Sequence, residues 1–149
     1  MLEALTVRDA MVTDHETVSE EENLGDLYAC LIKSQYPFLP VTTKGGRFKG
    51  LITADMVEDA WRAQGNKVGA ERSLSKLLEA KDLLYRSGFK VPTVLITDPL
   101  SVTSGVFDHT PVVPVLDTEH RVTGLLFSYN VRIAYDREVG RRLLFLRKD

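Results

Sequence analysis

The chain has 149 residues and a mass of 16.7 kDa, room for one domain or for two very small ones that share a core. Hydrophobic residues at 44% and charged residues at 27% set it apart from disordered chains, and a formal charge of −2 gives no overall pull toward nucleic acid or anionic lipid. The lone cysteine, Cys30, excludes an intrachain disulfide, and no apolar run approaches the roughly 18 residues of a membrane span, so a soluble chain in a reducing compartment is expected, by itself or as a piece of something longer.

In chain order, Val18 lies in a short extended piece ahead of an acidic turn. Asn23 is placed to cap a helix, with Asp26 three residues on as its box partner. Leu24, Leu27, Tyr28, Leu31 and Ile32 follow helical spacing and form one apolar stripe. "FLPVTT" and "RFKGLIT" read as two strands joined across Lys44-Gly45-Gly46. A helix capped by Thr53 follows, with Met56, Val57, Ala60 and Trp61 facing inward. "AQGNKVGAERS" (63–73) reads as a polar linker and "LSKLLEAKDLLYR" (74–86) as a helix.

The pattern then returns. Pro114 stands 74 positions after Pro40 and Gly124 74 after Gly50, while Val94 and Leu100 follow Val18 and Leu24 by 76. Two residues are therefore missing from the second copy between its first strand and its Pro-Val strand. Asp98-Pro99 is expected to open the second copy's first helix, but "LSVTSGVFDHTP" is poor in helix formers and two residues short, so that helix is expected to be short or distorted. Strands "VVPVLD" and "RVTGLLF" turn at Thr118-Glu119-His120, and Ser128 starts a last helix with Val131, Ala134 and Tyr135 inward. The closing "REVGRRLLFLRKD" (137–149) mixes arginines with leucines. It reads as an element packed on its own module or a twin, the alternative being contact with a partner domain or a membrane surface.

Two β-α-β-β-α units in tandem, carried by "TVRDAM" (6–11), "TVSEEENL", "FLPV", "GRFKGLIT", "PTVLITDPL", "VPVLD" and "HRVTGLLF", resemble a CBS-domain pair, the tandem regulatory module named after cystathionine β-synthase. The resemblance implies an α/β (α+β) fold with internal pseudo-twofold symmetry. It divides the chain into a first repeat (1–64), a linker and connecting helix (65–80) and a second repeat with a basic tail (81–149). More narrowly, "RIAYDREVGRR" (132–142) and "LLEAKDLL" resemble the cytoplasmic CBS region of chloride channels and transporters of the ClC family. That would place the chain on the cytoplasmic face of a membrane permease and otherwise in the cytoplasm.

CBS pairs commonly bind adenosine nucleotides, and the resemblance implies AMP, ADP or ATP as a ligand, with no cofactor required. The family pattern at each cleft is Gly-apolar-apolar-Thr/Ser-x-x-Asp, whose carboxylate accepts ribose hydroxyls while the helix N-terminus favours the phosphates. Both copies depart from it. The first keeps Thr53 but has Met56 in place of the Asp, with Asp55 one position early and so about 100° round the helix. The second has Phe127 for the hydroxyl and Asn130 for the carboxylate, a neutral acceptor in place of a charged one. The candidate ligand-binding residues are Thr17, Val18, Thr53 and Asp55 in the first copy, which keeps more of its polar set, and Val94, His109 and Asn130 in the second.

No Ser-His-Asp set, carboxylate pair or zinc spacing can be named, so neither a catalytic nor a metal site is expected. His15, His109 and His120 read as solvated turn residues, and Cys30 as a half-buried thiol. "TKGGRFKG" lacks phosphate-loop spacing and is explained by the hairpin. The expected function is a non-catalytic regulatory module that senses an adenine nucleotide, forms a homodimer, contacts no nucleic acid and controls an attached or partner effector such as a ClC-type permease. The alternative is a ligand-free dimerisation domain of such a transporter.

Overall fold

The computed structural model describes residues 5–65 and 78–147. Two three-stranded sheets organise the chain. In the first, β1 (Val18–Ser19) pairs parallel with β2 (Phe38–Thr42), which pairs antiparallel with β3 (Phe48–Thr53). In the second, β4 (Val94–Leu95), β5 (Val112–Leu116) and β6 (Val122–Phe127) repeat that order and those directions. The helices are α1 (Leu24–Lys33), α2 (Ala54–Gly65), α3 (Ala80–Ser87) and α4 (Ser128–Arg147), with 3-10 helices at Val7–Asp9 and Leu100–Phe107.

The repeat extends to single register pairs. Pro40 faces Leu51 and Val41 faces Gly50, with a bulge between Val41 and Thr42; Pro114 faces Leu125 and Val115 faces Gly124, with a bulge between Val115 and Leu116. Val18 pairs with Val41 and Val94 with Val115, which locates the two-residue deletion between first and second strand. The shortened segment cannot complete an α-helix and winds as the 3-10 helix Leu100–Phe107. Its N-cap is Pro99; Asp98, expected to cap it, instead accepts the Leu95 N–H at 2.9 Å and ties down β4.

The chain divides into two compact units that interleave along the sequence. One is residues 14–91; the other joins 1–13 to 92–149. The interleaving arises because the segment ahead of each repeat docks on the sheet of the other. Thr6 and Asp9 form a reciprocal capping box, and the Val7 and Arg8 N–H groups donate to the carbonyls of Asp98 and Ile96. In the other unit Glu79 and Asp82 form the same box, and Ala80 and Lys81 donate to Glu22 and Glu20. The helix expected over 74–86 therefore begins at Ala80, with Leu78 and Glu79 non-helical; positions 74–77 and most of the expected linker lie outside the described residues. Ala63–Gly65, read as linker, end α2.

Each unit has its own core. Val18, Leu24, Leu27, Leu39, Val41, Ile52, Val57 and Ala60 are buried with Ala80 and Leu83 of α3. Val94, Leu100, Val113, Val115, Leu126 and Ala134 are buried with Val7. At about 1.5–3 kcal/mol per large side chain, this burial docks α1 and α2 on the first sheet. Asn23 caps α1 as expected, accepting the Asp26 N–H at 2.9 Å. Three residues expected on the apolar faces are not in the core. Ile32 is 73% exposed, and Trp61 and Tyr28 are 46% and 39% exposed and stack on each other at 5.1 Å between ring centroids. All three lie on the outer flank of the α1–α2 pair, where helical periodicity continues but no third layer among the described residues covers it.

Candidate ligand-binding site

The sequence points to the two turns where an edge strand runs into a helix. At the first, Thr53 ends β3 and its hydroxyl caps α2, accepting the Met56 N–H at 3.2 Å. The Ala54 N–H donates to the Pro37 carbonyl at 2.9 Å. The helix thus begins at its expected residue, and Asp55 lies exposed on its first turn rather than rotated onto the Met56 position. Two of the first three N–H groups are already satisfied, which weakens this helix end as an anion site. Met56 completes the cap from the other side, its sulfur 3.4 Å from the Thr53 nitrogen.

The second turn has the same geometry with different atoms. Ser128 N–H donates to the Pro111 carbonyl at 3.2 Å, matching Ala54 on Pro37. Phe127 N–H donates to Asn130 Oδ1 at 3.2 Å, so the amide oxygen expected to meet a ribose hydroxyl already holds a backbone donor. A carbonyl oxygen has a second lone pair, and that one remains available for a ligand. Phe127 is 5% exposed and stacks on Tyr129, filling with apolar surface the place of the family hydroxyl.

The other candidates flank the central strands. Val18 is buried opposite Val41, and Thr53 lies on the far side of β2 opposite Phe38, three residues along. The two are therefore separated by about 10 Å along the strand as well as across its width. Thr17 and Val18 border a cavity of about 300 Å³ together with Glu16, Glu22, Asp26 and Lys33, and Thr53 and Asp55 are not among its walls. Val94 is buried opposite Val115. His109 is exposed beside Thr110, a buried residue that the sequence reading missed; its hydroxyl donates to the Val112 carbonyl at 2.8 Å and closes the turn into β5.

Cys30, half-buried as expected, sits at the same 300 Å³ cavity, where burial and then Glu16 and Glu22 push its pKa up. His15 departs from its expected solvated setting. It is partly buried, its Nδ1 has no hydrogen-bond partner among the described residues, and burial lowers its pKa against the opposing pull of Asp14 and Glu16. Among the described residues no group of three or more His, Cys, Asp or Glu is placed to hold a metal, and no helix is long and apolar enough to cross a membrane.

Comparison with known proteins agrees with this architecture. Residues 7–60 match the CBS domain family. Among solved structures, CbpB in complex with c-di-AMP superimposes with a TM-score of 0.71 at 13% identity, covering 95% of this chain and 91% of that one. CBSX2 in complex with AMP gives a TM-score of 0.68 at 18% identity over 89% of this chain and 96% of that one. A CBS domain pair in complex with 5′-methylthioadenosine and S-adenosyl-L-methionine gives 0.63 at 20% identity over 91% and 98%. No curated protein matches the sequence. Residues 7–60 carry the CBS domain pattern, and the chain as a whole has the fold of a CBS-domain pair.

Proposed function

We propose that this protein is a non-catalytic regulatory module that senses an adenine nucleotide, weakly, and passes the binding state to an attached or partner effector. The observation that carries the reading is the fold it shares with CBS pairs in complex with AMP, c-di-AMP and S-adenosyl-L-methionine. Thr53 at the first strand–helix turn and the second lone pair of Asn130 at the other are the groups that would meet ribose or phosphate. Thr17, Val18 and Asp55 in the first repeat, and Val94 and His109 in the second, would complete the two sites. Binding would act by favouring one arrangement of the repeats over another. A homodimer is part of the proposal, and the exposed Tyr28–Trp61 stack and Ile32 offer it an apolar surface. A ClC-type permease is the effector suggested by residues 132–142, with the module on its cytoplasmic face.

A second reading, a ligand-free dimerisation domain, draws on one observation: the Thr53 hydroxyl and the Asn130 amide oxygen both hold backbone N–H groups. Calorimetric titration with ATP, ADP and AMP separates the two readings. Saturable heat with any of them supports sensing, and none at millimolar concentration leaves only the dimerisation role.

A further inference from the structure

The two strand–helix turns call for the same acceptor and receive different atoms. Pro40 and Pro114 have no N–H, so the pairs Pro40–Leu51 and Pro114–Leu125 are not hydrogen-bonded. Bonded and unbonded pairs alternate in an antiparallel ladder, so two residues along, Phe38–Thr53 and Val112–Phe127 are unbonded as well. The N–H groups of Thr53 and Phe127 therefore point away from the neighbouring strand. Each takes its acceptor from the third residue of the helix that follows. Phe127 N–H donates to Asn130 Oδ1 at 3.2 Å, and Thr53 N–H donates to the Met56 sulfur at 3.4 Å.

A thioether is a weak acceptor and an amide oxygen a good one, so the first turn holds its N–H less firmly than the second. Met56 is half-buried, packed against the first core on one side, while Val57 and Ala60 of the same helix are buried. A sulfur in that position has a direct chemical route to an oxygen: conversion to the sulfoxide, which turns an apolar side chain into a polar one. Hydrogen peroxide delivers the oxygen. The sulfur lone pair attacks, the S–O bond forms as the O–O bond breaks, and the proton of the delivered oxygen passes to the leaving hydroxide, which departs as water. Sulfur loses two electrons and the peroxide gains them.

We infer that Met56 is an oxidation-responsive residue, converted by peroxide to a sulfoxide whose oxygen takes the Thr53 N–H as Asn130 Oδ1 takes that of Phe127. Oxidation of a core-packed methionine ordinarily loosens a protein. Here the new oxygen meets a backbone donor already aimed at it, at the helix end that favours negative charge, so the turn tightens instead. The oxygen keeps a further lone pair, and the first turn thereby gains the polar acceptor that its thioether does not supply. For that last step, a stronger hold on a ribose hydroxyl, the inference rests on the nucleotide-sensing reading; the response of Thr53 stands without it.

The test treats the full chain with hydrogen peroxide, locates the added oxygen by peptide mass spectrometry and follows amide hydrogen exchange by NMR. Met56 is expected to be oxidised in the folded protein, and exchange of the Thr53 amide to slow about twofold to tenfold. Methionine sulfoxide reductases with a dithiol should restore the original rate. Met56→Leu, which conserves volume, is expected to show no change at Thr53 under peroxide, whatever happens at the other methionines. Met56→Gln, which carries an amide oxygen, should show the slow exchange without peroxide. Three results would overturn the proposal: a Met56 that survives peroxide in the folded protein, a Thr53 amide that exchanges as fast or faster once Met56 is oxidised, or the same response in Met56→Leu. Calorimetry with AMP on both forms reads the ligand step separately. An affinity about twofold to tenfold higher after oxidation is expected. Equal affinities overturn that step, and no heat in either form overturns nucleotide sensing while the Thr53 amide still decides the role of Met56.

Discussion

Gly124 lies directly beneath Val12: a Cβ built on it would stand 2.7 Å from the Val12 carbonyl oxygen, the oxygen that accepts the Leu125 N–H. Gly50, its counterpart, lies beneath Leu84, whose Cδ2 would be 2.7 Å from the added carbon. The distances are equal but the obstacles are not, because a leucine end can change rotamer and a bridged carbonyl cannot. Gly124→Ala is therefore expected to cost about 2–4 kcal/mol, through overpacking and loss of the Val12 bridge. Gly50→Ala is expected to cost about 1–2 kcal/mol. Urea denaturation of the two variants checks the order, and equal costs would mean that Val12 does not hold β6 in solution.

The hairpin turns give a second comparison. Gly46 takes a φ of 84° and His120, its equivalent, a φ of 66°, a left-handed conformation that suits glycine and strains a side chain. Asp117 compensates by accepting the Glu119 and Arg121 N–H groups at 2.8 and 2.9 Å. Relieving the strain should outweigh the added freedom of the unfolded chain, so His120→Gly is expected to stabilise by about 0.5–1 kcal/mol, with His120→Asn between the two. A lower denaturation midpoint for the glycine variant would show that contacts of the imidazole matter more than its backbone.

These two sites show how much of the molecule was legible beforehand. Pro40, Gly50, Pro114 and Gly124 recur at one spacing, so the sheets, their register and the duplication could be read from the chain alone. The interleaving of the units could not, because Thr6–Met11 and Glu79–Leu84 share only an aspartate and a pattern of caps, too little similarity to register as repetition. The site was legible in part. Residue types at the two turns identified Thr53 and Asn130 correctly as polar groups at helix starts. The cap expected of Thr53 already implied its backbone donor, but nothing in the residue types showed that Asn130 is engaged by the Phe127 N–H as well, which depends on a side-chain rotamer. The misplacement of Trp61 and Ile32 has another origin: periodicity marks an apolar face but not whether a further layer covers it.

His15 makes stability depend on pH. Its pKa in the folded protein lies below the 6.5 of the free side chain, chiefly because burial disfavours the charged form, so the unfolded chain binds a proton that the folded one refuses. The contribution is fully present above about pH 7.5 and is lost as pH falls through 6.5 toward the folded pKa. The urea midpoint of the wild type should therefore fall between about pH 7.5 and pH 5.5, and His15→Gln should shrink that fall. An unchanged difference in the variant would assign the acid sensitivity to other groups.

The last prediction restores what the first strand–helix turn has lost. Met56 occupies the third position of α2 and places its sulfur against the Thr53 N–H at 3.4 Å, a weak acceptor in a site where an aspartate would be a strong one. In Met56→Asp the carboxylate would take over that N–H and lie favourably at the positive end of the helix, worth about 0.3–1 kcal/mol, so the fold should not suffer. It would also offer a charged acceptor to ribose hydroxyls. Such bonds are worth about 1.5–3 kcal/mol against about 0.5–1.5 for neutral ones, and the thioether offers none of note. Affinity for AMP is therefore expected to rise about tenfold to a hundredfold by calorimetry. If Met56→Asp keeps its stability and still gives no heat with AMP, ADP or ATP, the missing carboxylate is not what limits binding, and the ligand-free dimerisation reading gains at the expense of nucleotide sensing.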